Sequence, residues 1–229
     1  MIPMHYTPLA APCLGLALAV AGIGSGHAQH APQLERISDP AELAAGGHHP
    51  GEEVWRVVAP LDSRPLAQRV AEREQQALAG VLPSDGQRSS SVQGSQFVWL
   101  RETAVGTTNG NFGQSCLAGS ATGFADAHLP IPSDRSLGFF DVWTRDASAA
   151  GDLTVRLYAT CSPAFNAGAP TQILLSTIQT SGAAGNGFEF QTLGLPGQVT
   201  STCGYFVRMI ASNCADGTSL ALQKVRVTW

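Results

Sequence analysis

Between Gln96 and Trp229 the chain divides into eight segments of strand character, separated by turn-forming residues and with no helical periodicity between them. They are Phe97–Glu102, Ala121–His128, Leu137–Arg145, Leu153–Thr160, Gln172–Thr180, Gly187–Leu193, Gly204–Ala211 and Ser219–Trp229. Turn-formers such as Pro130-Ile131-Pro132-Ser133-Asp134, Ala149-Ala150-Gly151-Asp152 and Ala215-Asp216-Gly217 punctuate them. Side chains alternate along a strand, so in the fourth segment Leu153, Val155, Leu157 and Ala159 share one face and Thr154, Arg156 and Tyr158 the other. The eighth sets Ala221, Val225, Val227 and Trp229 against Lys224 and Arg226. Such a series, without crossover helices, predicts an all-β domain over residues 96–229: an eight-stranded antiparallel sandwich of jelly-roll type.

Upstream, Leu14 to Ile23 form an apolar run. It is too short to cross a bilayer, which takes about 20 apolar residues as a helix. Gly26 and Ala28 fit the small-residue positions of a signal-peptidase site, so residues 1–28 read as a signal peptide cleaved before Gln29, although no Lys or Arg precedes the run. Residues 29–60 are rich in Pro, His, Gly and Ala around one apolar burst, Val54-Trp55-Arg56-Val57-Val58, and read as a loosely ordered arm. Asp62 or Ser63 can cap a helix at about 63–79, with Pro65 in its first turn and a weak stripe of Leu66, Val70, Ala77 and Leu78. Ser84 to Ser95 has the composition of a flexible linker. Residues 29–95 are therefore expected as an arm, helix and Ser/Gly linker ahead of the sandwich, and no transmembrane helix is expected.

Export places the four cysteines beyond the signal, Cys116, Cys161, Cys203 and Cys214, in an oxidising environment where an even number pairs. No pair has zinc-site spacing. Cys203 and Cys214 bracket the seventh segment, and seven or more extended residues span roughly 25 Å, whereas bridged Cα atoms lie within about 7 Å. A straight strand excludes that bridge. In a jelly roll the seventh strand lies between the second and the fourth, which sets Cys161 against Cys203 and Cys116 against Cys214. The first pair also fixes a register: Val155 faces Met209, Leu157 faces Val207 and Ala159 faces Tyr205, so apolar partners fall on one side.

The stretch LPIPSDRSLGFFDVWTRDASAAGDLTVRLYATC, with the later Tyr205-Phe206-Val207-Arg208 and Val225-Arg226-Val227, resembles a C-terminal domain that recurs in secreted bacterial proteins of unassigned activity. The resemblance covers about Gln96 to Trp229. It implies a β-sandwich and brings no catalytic residues with it.

On the other face the same register sets Arg156 against Arg208 and Tyr158 against Phe206. Like charges directly across a sheet are unfavourable unless an anion or carboxylate lies between them. Such a patch either binds a sugar, an acidic polymer or a partner protein, or is covered by Glu189, another acid or the N-terminal helix; covering is the commoner outcome. In the DASAAGD loop Asp146 and Asp152 are the residues that could hold a structural calcium, and no other cofactor is expected. His48-His49 with Glu52-Glu53 offers metal-ligating types, but adjacent histidines point apart in extended chain. Asp126 and His128 share a strand face, yet no Gly-x-Ser-x-Gly elbow accompanies them. Asp141, Asp146, Asp152 and Glu189 are not placed as a facing glycosidase pair by any motif.

A net charge of −4 and a single lysine, Lys224, exclude a basic nucleic-acid surface. The expected role is an exported, non-catalytic binding or structural module, secreted or periplasmic, whose partner is carbohydrate or an envelope protein. A hydrolase of extracellular polymer is the enzyme alternative. An eight-stranded outer-membrane barrel ending in Trp229 is the membrane alternative.

Overall fold

A computed structural model of the chain describes residues 33–58, 64–78, 89–99, 106–109, 114–117, 123–132, 137–162, 171–183, 185–195, 203–211 and 220–229. The expected signal peptide lies outside the described residues, as do Asp62, Ser63, Gly80 and Cys214. The fold is an all-β sandwich. Strands β1 (Gln33–Arg36), β2 (Val54–Val58), β4 (Val98–Trp99), β7 (Gly123–Leu129), β9 (Leu153–Cys161), β10 (Thr171–Gln179) and β12 (Cys203–Ala211) form a seven-stranded sheet in the order β1-β2-β10-β9-β12-β7-β4. Strands β3 (Ser89–Gln93), β8 (Leu137–Asp146), β11 (Gly185–Leu195) and β13 (Leu220–Thr228) form a second sheet in the order β11-β8-β13-β3. A separate pair, β5 (Gly106–Asn109) and β6 (Gln114–Leu117), holds Cys116. Helices α1 (Pro40–Ala45) and α2 (Leu66–Leu78) complete the set.

The alternation read from the sequence becomes the core. Leu153, Val155, Leu157 and Ala159 of β9 meet Tyr205, Val207, Met209 and Ala211 of β12, and across the sandwich lie Phe140, Val142, Leu220, Leu222, Val225 and Val227. Burying one such aliphatic side chain is worth about 1.5–3 kcal/mol, so this apolar interior dominates the favourable side of folding. An apolar interior between two open-edged sheets corrects the outer-membrane barrel alternative, which needs a closed sheet around a polar lumen. Trp229 is half-buried and packs against this core.

The register follows the expected one residue for residue: Val155↔Met209, Leu157↔Val207, Ala159↔Tyr205, Arg156↔Arg208 and Tyr158↔Phe206. Cys161 is directly opposite Cys203 and bonded to it. The other expected bridge, Cys116–Cys214, falls on a cysteine outside the described residues.

Four readings need correction. The Ser-rich stretch taken as linker contains β3, whose Ser90 and Val92 point inward while Ser89, Ser91 and Gln93 face out. It pairs with β13, from Lys224↔Gln93 to Thr228↔Ser89. Of that expected strand, Val98 and Trp99 pair instead with β7 at the edge of the larger sheet. The arm is also sheet: the apolar burst Val54–Val58 runs parallel to β10 and pairs with β1. Residues Ala31–Trp229 accordingly form one compact unit. Within β13, Leu222 rather than Ala221 joins the core, because the register shifts between Leu222 and Lys224. Leu222 and Val225 both face inward, so Gln223 and Lys224 together occupy the outer side between them.

The Cys161–Cys203 bond closes a sequence separation of 42 residues. Removing that constraint from the unfolded chain costs about 4 kcal/mol of stability on loop-entropy grounds. The double variant Cys161→Ser, Cys203→Ser is expected to lose stability of that order in urea unfolding; an unchanged midpoint would contradict the assignment.

Candidate functional site

The structure brings Arg156, Tyr158, Phe206 and Arg208 together on the outer face of the larger sheet, and it covers them. Tyr158 and Phe206 stack with ring centroids 5.0 Å apart at 9°. Arg208 is 6% exposed and makes a two-pronged pair with Asp126 of β7, Nε to Oδ1 and Nη2 to Oδ2, each at 2.8 Å. The carboxylate that neutralises Arg208 thus comes from β7, on the far side of β12 from Arg156, and neither from Glu189 nor from α2. With both oxygens of Asp126 taken, and His128 exposed, the Asp126/His128 couple has no free carboxylate to orient the imidazole.

The cover is the segment between β1 and β2. Asp39 caps α1 by accepting from the Ala41 N–H, with Pro40 at the first helical position. The helix ends at Gly46-Gly47, and both carbonyls accept from Arg208 Nη1, at 2.9 and 3.3 Å. Gly47 has φ of 73°, and a Cβ there would meet the Phe124 ring at 2.6 Å. Glycine is therefore required both for the left-handed backbone and for the close approach. His48 turns inward, its Nε2 3.0 Å from Tyr158 Oη and its Nδ1 3.1 Å from Glu52 Oε2, while His49 faces solvent. Ile37 and Val54 close a small apolar cluster with Tyr158 and Leu174, against which Leu43 and Phe206 pack. Burial first, then the positive charge of Arg208, holds the His48 pKa below the ordinary histidine value, with Glu52 pulling the other way.

Asp146 and Asp152 make separate contacts. Asp146 is fully buried, with Oδ1 accepting from the Ser148 N–H at 3.1 Å and Oδ2 without a hydrogen-bond partner. Asp152 Oδ2 lies 3.4 Å from Gln179 Nε2. Among the described residues no group of three His, Cys, Asp or Glu side chains could hold a metal ion.

The outer face of the smaller sheet has two halves. One is covered by α2, whose inward face is made by arginines: Arg73 donates from Nη1 to Asp141 Oδ1 at 2.7 Å and lies 4.1 Å from the Phe139 ring centroid. Arg226 of β13 reaches the other oxygen of Asp141 at 2.7 Å, and Asp141 is fully buried between the two. One turn earlier, Arg69 pairs with Glu189 at 2.6 Å and donates to the Phe190 carbonyl at 2.7 Å. A cleft of about 210 Å³ remains beside the helix, lined in part by Arg64, Glu72, Phe139 and Phe190.

The other half is open. Trp143 packs on Phe188 with centroids 4.9 Å apart, and Lys224 Nζ and Arg226 Cζ each lie 5.4 Å from the indole. Gln93, Trp143, Gln223 and Lys224 line a shallow depression of about 460 Å³. Among the described residues Lys224 forms no ion pair, and no carboxylate lines the depression. Sequence reading passed over Trp143. The signal was present in the parity of β8, where Phe140 and Val142 must face the core and Trp143 must therefore face away.

No family model matches this sequence, and no curated protein matches it. Among solved structures the chain is similar to an exo-β-1,3-galactanase from Phanerochaete chrysosporium with galactose (TM-score 0.37, 11% identity, 61% of this chain and 29% of that one). It is also similar to a CBM35 from Paenibacillus barcinonensis (TM-score 0.34, 12% identity, 61% of this chain and 98% of that one). A third is the GH26-CBM35 β-(1,4)-mannanase of Podospora anserina (TM-score 0.29, 14% identity, 62% of this chain and 27% of that one). This chain thus spans under a third of the galactanase and mannanase chains, and no residue here takes a role from any of the three.

Asp141 neutralises two arginines in a site without water access, and removing one partner of such a group strands the others. Asp141→Ala is expected to cost about 3–5 kcal/mol in urea unfolding. A loss below about 1 kcal/mol, the size of a surface ion pair, would show that α2 is not held this way.

Proposed function

We propose that this chain is an exported, non-catalytic module that binds a carbohydrate polymer on the open half of the smaller sheet, around Trp143. The observation that carries the reading is the composition of that depression: one indole, two carboxamides and one ammonium on a shallow surface. The C–H face of a sugar ring packs against an indole, and the amides of Gln93 and Gln223 can donate to and accept from its hydroxyls. Lys224 adds three donors, suited to a hydroxyl or to an acidic substituent. A strand platform holds these groups more rigidly than a loop would.

The engagement of Asp141, Asp126 and Glu189 supports a binding role over hydrolysis. Glycoside cleavage needs one carboxyl free to give a proton and a second to act as base or nucleophile. Asp141 is bonded to two arginines, Asp126 to Arg208 and Glu189 to Arg69. The Cys161–Cys203 bond supports a working place outside the cytoplasm, since thiols there stay reduced.

The test is depletion of the purified protein by a panel of insoluble neutral and acidic polysaccharides, with release of reducing ends measured in parallel. Wild type is expected to bind at least one polymer and to release none. Trp143→Ala is expected to weaken binding by about tenfold or more, the loss of roughly 1.4 kcal/mol, with an unchanged circular dichroism spectrum. Equal retention of wild type and variant would remove Trp143 as the platform, and release of reducing ends would favour the hydrolase.

A further inference from the structure

The segment covering the larger sheet is fastened at a titratable point. His48 is 4% exposed, and both ring nitrogens are engaged by groups that define a single neutral form. Glu52 Oε2 can only accept, so Nδ1 carries the proton; Nε2 then accepts from the Tyr158 hydroxyl. The Tyr158 oxygen in turn lies 3.4 Å from Arg156 Nη1. A second proton on His48 would sit on Nε2, facing a hydroxyl that could no longer donate to it and that already faces a guanidinium. It would also place a third cation beside Arg156 and Arg208. The charged or titratable groups around the ring are Glu52 from its own segment, Arg156 and Tyr158 from β9, Arg208 from β12 and Asp126 from β7, and Asp126 is already committed to Arg208. Glu52 alone offsets the added charge, from a half-buried position.

Apart from His48, the segment is held to the sheet by the Ile37 and Leu43 side chains, by two backbone carbonyls bonded to Arg208, by the Glu42–Arg56 ion pair to β2, and by the Glu53 carbonyl, which accepts from the Gln172 N–H of β10. Its own α1 is a single short helix of six residues, below the length at which a helix is stable unaided. Gly46 and Gly47 leave no side chain to anchor it further.

We propose that residues 38–53 form an acid-released latch: protonation of His48 lets the α1 segment lift from the larger sheet and uncovers the stacked Tyr158–Phe206 pair with Arg156, while the sandwich stays folded. Because burial and Arg208 lower the folded-state pKa, the closed form is fully stabilised above the ordinary histidine value of about 6.5 and loses stability as pH falls below it. A paired histidine with a raised pKa would do the opposite.

The experiment is amide hydrogen exchange on the full chain at pH 7.5 and pH 5.0, corrected for intrinsic rates. It is combined with an NMR titration of the His48 and His49 rings. The Gly46, Gly47 and His48 amides, bonded to carbonyls of residues 42–44, are expected to lose protection by up to about tenfold for each pH unit the latch senses, the limit for one proton. Amides of β9 and β12 should keep theirs. His48 should titrate below the ordinary histidine value of about 6.5. His48→Gln, whose amide can donate to Glu52 and accept from Tyr158, is expected to hold the segment closed at both pH values. Equal protection of residues 46–48 at both pH values in wild type would overturn the proposal. So would a His48 that titrates at or above the ordinary histidine value, or a pH response that persists in His48→Gln.

Discussion

The pairing of β9 with β12 is the constraint on which the remaining structure depends. It lies in the middle of the larger sheet, and its register assigns every residue of both strands to the core or to the outer face at once. A shift of one residue would send Leu157 and Val207 outward and bring Arg156 and Arg208 in. The bond between Cys161 and Cys203 sits on a directly opposed pair and so forbids that shift as well as holding the loop closed. Both sheets then organise around what the fixed register leaves on their outer sides.

What it leaves, on each sheet, is arginine, and each sheet disposes of it in the same way. On the larger sheet Asp126 takes Arg208; on the smaller, Asp141 takes Arg226 and Arg73 together. In both cases a segment from outside the strand array completes the arrangement, the α1 turn through its carbonyls and α2 through Arg69 and Arg73. Buried ion pairs contribute little net stability against apolar packing, and their better-attested use is to select one arrangement over others. Here they determine where two amphipathic segments dock. Among the described residues, the half of the smaller sheet around Trp143 is left open.

The parts of this fold that were legible are those with strict alternation. Leu153 to Ala159 and Tyr205 to Met209 announce their faces, and cysteines at strand ends convert that pattern into a register. β3 was hidden because its inward positions are Ser90 and Val92, too weak a pattern inside a Ser-rich stretch to outweigh composition. The arm was hidden because β2 is recruited by tertiary contact with β10 and contributes one fully buried residue, Val54. At the candidate sites the sequence brought Arg156, Arg208, Tyr158 and Phe206 together correctly but left open which segment lies over them. That depends on Gly46-Gly47, whose absent side chains carry no pattern. Trp143 was readable from the parity of β8, whereas its neighbour Gln223 required the β13 register shift, which no local signal marks.

The position of β13 has a consequence for how the chain comes into being. It lies inside the smaller sheet, between β8 and β3, and β3 is among the first strands made while β13 is the last of the described ones. Until residues 220–228 have emerged, β3 and β8 have no common neighbour, and Val92, Phe140 and Val142 lack the Leu222, Val225 and Val227 side chains of their shared core. Contacts of such long sequence separation form slowly. The smaller sheet is thus completed only once residues 220–228 take their place between β8 and β3.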